Sequence, residues 1–479
     1  MNKLSLFING TSATGIPSFM RDNMSYTSVG SQTLQAERAS GPNLLEEMKR
    51  DLDQGLVPAR MFGDRWIYDL ELRQIFGRAW VFIGHESELP NRGDFALRYI
   101  GEDPFIFVRD ADGIIRVLFN ACRHRGTQLC RVERGNASSF TCPYHAWTYR
   151  NDGQLIGVPA RQLGYRMLAF SQWGLFSAAK VASYCGLVFA TLDPDAVPLE
   201  DYLGRYKWYL DIQLKLTPGG MEILGEPHRW VVDANWKQGA ENFCGDSSHT
   251  QMTHRSTIEF GVVNAATAGA PGKDYGLQIN ECDGHAISIR QQSDRDIFWE
   301  YPKEMTRLFN AERLGSAQFD LARHAMAHVG TIFPNFSFLH TGLTDSLDRP
   351  PGAFLSIRVW QPRGPQKTEI WNWILAPKEA SPEYKRRAYR LGMSSFSPSG
   401  SFEQDDVTIW CSIARTASSV FAEMNNVKFN YQMGLGENFD TKPLDDWPGP
   451  GVAIPSNAGE GGLRAFHWTW YHRMTARAR

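Results

Sequence analysis

Two short arms, Cys122-Arg-His124 and Cys142-Pro-Tyr-His145, with 17 residues between them, restrict this chain more than any other feature of its sequence. Each arm offers one thiol and one imidazole, so two tight turns set side by side present four metal donors. Two chemistries accept such a set. A single zinc ion takes all four in a tetrahedron. A two-iron, two-sulfide cluster takes them unequally, with both thiolates on one iron and both imidazoles on the other. The spacing alone does not choose between them.

The sequence around the arms is β-rich. Phe105-Ile-Phe-Val and Ile114-Ile-Arg-Val-Leu-Phe flank Ala111-Asp-Gly, and Trp147-Thr-Tyr and Gln154-Leu-Ile flank Asn151-Asp-Gly; both are hairpin signals. Residues 80–199 therefore read as a small all-β module. Before it, Trp66, Leu70, Leu72, Ile75, Phe76 and Trp80 predict a helix with one apolar face from about Asp64 to Trp80. Residues 46–79 group with the later domain, and residues 1–45, rich in Ser, Gly, Asn and Thr, read as a loose arm. Met24 is an alternative start to Met1. Over 200–479 the elements are mixed. Trp236 to about His254 predicts a helix, Phe354–Trp360 with Thr368–Leu375 a hairpin over Pro-Arg-Gly, and Glu383–Leu391 and Phe402–Ala414 two helices. Strands and helices without βαβ alternation point to an α+β fold: an all-β module plus a domain with an antiparallel sheet covered by helices.

A second donor set lies in this later part. His249 and His254 meet one metal if the helix carrying them ends or bends between them. Two histidines and one carboxylate leave open positions on Fe(II) for O2 and substrate, and Phe402-Glu-Gln-Asp-Asp406 offers the carboxylate. Glu403 and Asp405 in that stretch are also suited to plain helix-dipole stabilisation. The pairs His324/His328 and His467/His472 have similar spacings but no such company, and read as satisfied histidines. Cys130, between the arms, reads as a buried thiol.

Arg125-Gly126, Cys142-Pro-Tyr-His-Ala-Trp147, Asn242-x3-Asp246-x2-His249-x4-His254 and Phe402-Glu-Gln-Asp-Asp406 together resemble the α subunits of Rieske non-haem iron aromatic-ring-hydroxylating dioxygenases, the naphthalene and biphenyl dioxygenase type. The resemblance runs from about residue 55 to the end. It implies a [2Fe–2S] cluster on Cys122, His124, Cys142 and His145. It implies a mononuclear iron on His249, His254 and Asp406, with Asp405 as the fallback ligand. Asp246 would bridge that iron site to a cluster histidine, His145, of a neighbouring subunit. Asn242, Phe243, Phe396 and Phe402 match positions lining the family's pocket. The chain departs from the family pattern at Ser248, where an aromatic is common.

The resemblance further implies O2 as co-substrate, a cis-dihydrodiol product, a small β subunit in an α3β3 assembly, and NADH as the ultimate donor through a reductase and often a ferredoxin. No Gly-rich nucleotide motif is present, so electrons are expected from another protein. Three pocket phenylalanines suit an aromatic or polycyclic hydrocarbon; an aromatic acid such as phthalate, held by an arginine, is the alternative, as is a monooxygenase or demethylase reaction. Lys+Arg at 50 against Asp+Glu at 52 gives no basic excess for nucleic acid or membrane. Seven cysteines are too few for a disulfide framework, and no stretch approaches the ~20 apolar residues of a membrane span. These features predict a soluble cytoplasmic protein.

Overall fold

The computed structural model describes residues 44–262, 276–292, 295–346, 348–436, 443–455 and 459–476, and the architecture below belongs to the compact unit Leu45–Arg479. The expected loose arm and the choice between Met1 and Met24 fall on residues outside the described ones. The fold is α+β, as expected.

Around the two Cys/His arms the chain is mostly strand and turn, with single helical turns at Glu86–Glu88, Arg161–Gly164 and Phe170–Gln172 that the all-β expectation did not include. One sheet orders Ile115–Phe119, Asp103–Arg109, Asp94–Ile100 and Arg134–Asn136; a second orders Ser139–Thr141, Thr148–Arg150 and Leu155–Gly157; a third orders Lys180–Tyr184, Leu187–Thr191 and Val81–His85. Both expected hairpins form, and Gly113 (φ +87°) and Gly153 (φ +92°) supply the left-handed backbone their turns need. Their shared core of Ile106, Leu118, Phe140, Trp147, Tyr149 and Leu155 encloses Cys122 and Cys142, both buried.

The later part is built on an eight-stranded antiparallel sheet. Its order is Met221–Val232, Lys367–Pro377, Gly352–Gly364, Phe336–Leu343, Ala325–Ile332, Ala286–Gln291, Leu277–Asn280 and Val452–Pro455. The central strands are buried at nearly every position rather than alternately, which requires cover on both faces. The helices Pro382–Ser395, Trp236–Asn242 and Gly461–Thr475 pack onto the sheet.

Two predicted helices differ in extent. The helix expected from Asp64 to Trp80 is helical over Arg65–Glu71, capped by Asp64 on the amides of Trp66 and Ile67. It then widens into a π-type turn over Leu72–Phe76 and ends at Gly77. The segment Trp236–His254 is not one helix. A cap by Asn235 and Gln238 starts Trp236–Asn242, and the chain then breaks at Gly245, whose φ is +120°. A Cβ there would lie 2.5 Å from the Gln278 side chain, so the break is fixed by a strand distant in sequence. Short helices at Thr250–Thr253 and Arg255–Glu259 follow. No helix among the described residues is long and apolar enough to cross a membrane.

Candidate metal centres and active site

The two Cys/His arms are tight turns that close on themselves. Gly126 N–H donates to Cys122 O (2.8 Å) and Ala146 N–H to Cys142 O (3.0 Å), and Gly126 and Ala146 take φ of +74° and +54° to make the reversals. The turns bring like donors together. The rings of His124 and His145 are 4.6 Å apart between centroids, with His124 stacked on Trp147 at 5.1 Å. Nδ1 of His124 and Nδ1 of His145 are both buried without a hydrogen-bond partner, and a buried imidazole nitrogen in that state is costly unless it binds something. Burial, then the charges of His145 and Arg125, lower the basicity of His124, which keeps it the neutral ligand a metal needs. Burial likewise pushes the Cys122 thiol up.

Zinc and cluster can now be separated. A single tetrahedral zinc draws four donors to within about 4 Å of one another. Among the described residues, the one set of three or more His, Cys, Asp or Glu donors converging within 4.8 Å is His249, His254 and Asp406. The Cys/His donors do not converge as one such set; thiol stands beside thiol and imidazole beside imidazole, the division an asymmetric two-iron cluster takes. Tyr149, unremarked in the sequence, completes the turn: its hydroxyl accepts from Arg123 N–H (3.0 Å) and lies 3.4 Å from Cys122 Sγ. Cys130 is a buried thiol directed at Val132 O.

The second donor set is assembled from the broken segment and one helix. Asp406 Oδ1 lies 3.6 Å from His249 Nε2 and 3.3 Å from His254 Nε2. His254 and Asp406 are buried and His249 is half-buried, a triad with one open side, as Fe(II) with free positions requires. The helix Glu403–Ala417 aims its first-turn acids in three directions. Asp406 faces both histidines, while Asp405 Oδ2 meets His254 on its other nitrogen, Nδ1, at 3.2 Å. Asp405 therefore sits behind His254, away from the point where His249, His254 and Asp406 converge. Glu403 is no solvated dipole acid either: it is buried, with Arg358 2.7 Å away.

His249 Nδ1 contacts the backbone oxygen of Asp246 and lies 3.5 Å from its carboxylate. Burial opposes charge on both groups, but their mutual hydrogen bond and attraction prevail, raising the His249 pKa and lowering that of Asp246. Ser248, the departure from the family pattern, donates its hydroxyl to Asp246 Oδ1 (3.2 Å). Among the described residues no cluster donor of the same chain contacts Asp246. The other histidine pairs are not fully satisfied: His328 Nδ1 meets Gln213 at 2.8 Å but its Nε2 is buried without a partner, His324 lies 3.7 Å from Asp320, and His467 lies 2.5 Å from Glu241 although neither of its ring nitrogens makes a hydrogen bond.

A cavity of about 430 Å³ opens on the triad, and Asn242, Phe243, Phe396 and Phe402 all line it together with Asp246, His249, His254 and Asp406. Phe402 packs on His254 (4.9 Å) and on Phe396 (5.4 Å). Arg290 also lines it.

Fold and donor sets together define a chain that places an iron–sulfur module ahead of a mononuclear metal site with an apolar chamber. Comparison with known proteins agrees. Residues 199–476 match the family described as ring hydroxylating alpha subunit (catalytic domain), and residues 79–171 match the Rieske [2Fe-2S] domain. The chain is 36% identical over 444 residues to the N,N-dimethyl phenylurea N-demethylase subunit alpha of Sphingobium sp., covering 91% of this chain and 95% of that protein. It is also 36% identical to the biphenyl dioxygenase subunit alpha of Paraburkholderia xenovorans, covering 87% and 91%. Naphthalene 1,2-dioxygenase from Rhodococcus sp., solved with indole bound, superposes with a TM-score of 0.85 at 41% identity, covering 91% of this chain and 99% of that one. The chain belongs to the α-subunit family of Rieske aromatic-ring-hydroxylating dioxygenases, which are oxidoreductases.

Proposed function

We propose that this α subunit adds both atoms of O2 to adjacent carbons of an aromatic ring, giving a cis-dihydrodiol. The observation that carries the reading is one cavity in which three phenylalanines and an open-sided His-His-Asp triad share the wall. Phe243, Phe396 and Phe402 hold a flat ring by burial and ring contact, and Asn242 adds one polar point of contact. His249, His254 and Asp406 hold the iron; Cys122, His124, Cys142 and His145 hold the cluster. When bound, these groups supply electron storage and O2 activation. Asp405 fixes the His254 tautomer and ring orientation. Asp246 accepts a hydrogen bond from His249 and, across a subunit boundary, from His145 of a second copy, so that electrons reach the triad from a neighbour.

In the same reading the electrons come from NADH through a reductase with or without a ferredoxin, a small β subunit completes an α3β3 assembly, and the protein works in the cytoplasm. The chain divides functionally into an arm (1–45), a lead-in to the catalytic domain (46–79), the cluster domain (80–199) and the catalytic domain (200–479). The test is turnover of the matured enzyme, with an electron-donor system, on a panel of arenes and N-methylated arenes under 18O2. Two labelled hydroxyls on adjacent ring carbons are expected. Formaldehyde release with an intact ring would replace this reading by N-demethylation, the reaction named for one of the relatives.

A further inference from the structure

One side chain of the cavity is not explained by an apolar ring. Arg290 lies on the strand Ala286–Gln291, two residues after Ser288, and the two line the same cavity wall, as the strand period requires. Its Nη2 donates to Ser247 O (3.2 Å) and to Thr250 Oγ1 (3.0 Å). Both acceptors are neutral. Among the described residues neither Nε nor Nη1 has a hydrogen-bond partner, and no carboxylate comes within 4.0 Å of the guanidinium.

The other charged groups of this wall are matched. Arg295 is 3.1 Å from Glu300, Asp246 is held by His249, and Asp406 faces both histidines. Arg290 alone carries an unmatched charge among the described ionisable groups of the wall. Burial depresses its pKa with no acidic neighbour raising it, yet a guanidinium does not deprotonate in a protein. Arg290 is half-buried, so a permanent cation with two nitrogens free of protein partners lines a largely apolar chamber, placed to pair with an anionic group that enters it.

We propose that Arg290 anchors the substrate and selects arenes bearing a carboxylate, met by the free Nη1 in a charge-assisted hydrogen bond while Nη2 stays on the 247–250 turn, with the ring against Phe243, Phe396 and Phe402. This rests on the reading that the cavity takes the ring to be oxidised, and it replaces the bare hydrocarbon expected from the three phenylalanines with an aromatic acid.

The test uses the matured enzyme with its donor system and a matched set: 1- and 2-naphthoate, their amides and methyl esters, and naphthalene. Equilibrium binding and kcat/KM are measured for wild type, Arg290→Lys and Arg290→Gln, with iron and sulfide content alongside. The wild type is expected to prefer the acids over the neutral analogues by about 10- to 100-fold, the range of a hydrogen bond to a charged group. Arg290→Gln is expected to abolish that preference, and Arg290→Lys to keep part of it through its point charge. Two results overturn the proposal: a wild type that favours the hydrocarbon, or an Arg290→Gln enzyme that loses acids and neutral arenes equally or loses iron. The second would make Arg290 a brace for the 247–250 turn. Arg290-dependent binding of acids without any diol product would sink the dihydroxylation reading and leave the anchor standing; diol formation without acid preference would do the reverse.

Discussion

Replacing Glu403 by Gln tests whether the helix that carries Asp406 rests on a buried charge pair. Glu403 and Arg358 are each 1% exposed and approach to 2.7 Å, although the N–H does not point squarely at the carboxylate. The guanidinium also lies over the rings of Phe396 (4.9 Å) and Phe243 (5.4 Å). Burial raises the Glu403 pKa against the opposing pull of Arg358. The two partners therefore differ in what happens when the other is removed. In Glu403→Gln the arginine stays charged with only ring faces for company, and breaking a buried pair in this way costs about 3–5 kcal/mol. In Arg358→Met the stranded carboxyl can take up a proton, which relieves the penalty by about 1.36 kcal/mol for each unit its pKa rises above the working pH. The cost of Arg358→Met should accordingly shrink as the pH is lowered, and that of Glu403→Gln should not. The double variant Arg358→Met/Glu403→Leu, with no charge left to bury, should recover most of the loss. Denaturant unfolding of the matured proteins at pH 8 and pH 6 provides the measurement. A Glu403→Gln protein within about 1 kcal/mol of wild type, or a double variant no better than that single one, would refute the argument.

Asp405→Asn keeps the size but removes the charge 3.2 Å from His254 Nδ1; iron retention against a chelator should weaken by about 10- to 100-fold, and retention equal to wild type would show that Asp405 does not orient the ligand. Three buried histidines are held unprotonated, chiefly by burial: His85 and His285 at about 4 and His328 at about 3. These folded values lie below the ordinary value of about 6.5, so the unfolded chain takes up protons first as the pH falls. Stability should be full above about pH 6.5 and decline below it, each histidine contributing up to about 1.36 kcal/mol per pH unit until its folded value is reached. Unfolding free energies that stay flat from pH 6.5 to pH 5 would contradict this.

The hairpins were legible because the residues that decide them are adjacent: an Asp-Gly turn needs only its own glycine to adopt a positive φ. The candidate donors stood out by residue type, but their spacing left zinc and cluster open, and it was the resemblance, not spacing, that singled out Asp406 within Phe402-Glu-Gln-Asp-Asp406. What sequence could not resolve was direction. Asp405 and Asp406 are neighbours in one helical turn, and only their placement against the two nitrogens of His254 separates the one that faces the triad from the one that stands behind it. The break at Gly245 depends on Gln278, which closes on it from another strand and donates to its carbonyl (2.9 Å). Arg358 did leave a signal, a lone cation inside Phe354-Leu-Ser-Ile-Arg-Val-Trp. A charge in a strand buried on both faces has to find a partner, and a search for a distant acid would have pointed to the 403–406 cluster.

The separation of the two centres within one polypeptide bears on how they cooperate. The Asp246 carboxylate is engaged in its own chain by His249 (3.5 Å), Ser248 (3.2 Å) and Asn242 (3.5 Å), with no cluster donor among its described partners. It nevertheless keeps 31% of its side chain exposed, and its lowered pKa leaves it an acceptor at neutral pH. At the other end, the tip of the cluster module is open: Arg125, Gly126, Pro143 and Tyr144 are exposed around a half-buried His145. An imidazole that gives one nitrogen to a metal has its other N–H to donate, and His145 is half-buried at the module's tip while the part-exposed Asp246 carboxylate can accept a further hydrogen bond. A donor and an acceptor that do not meet within one chain can still meet between two copies. If they do, a histidine–aspartate–histidine contact forms only on assembly. Electron delivery to the triad then depends on the oligomer, even though both candidate donor sets lie within a single chain.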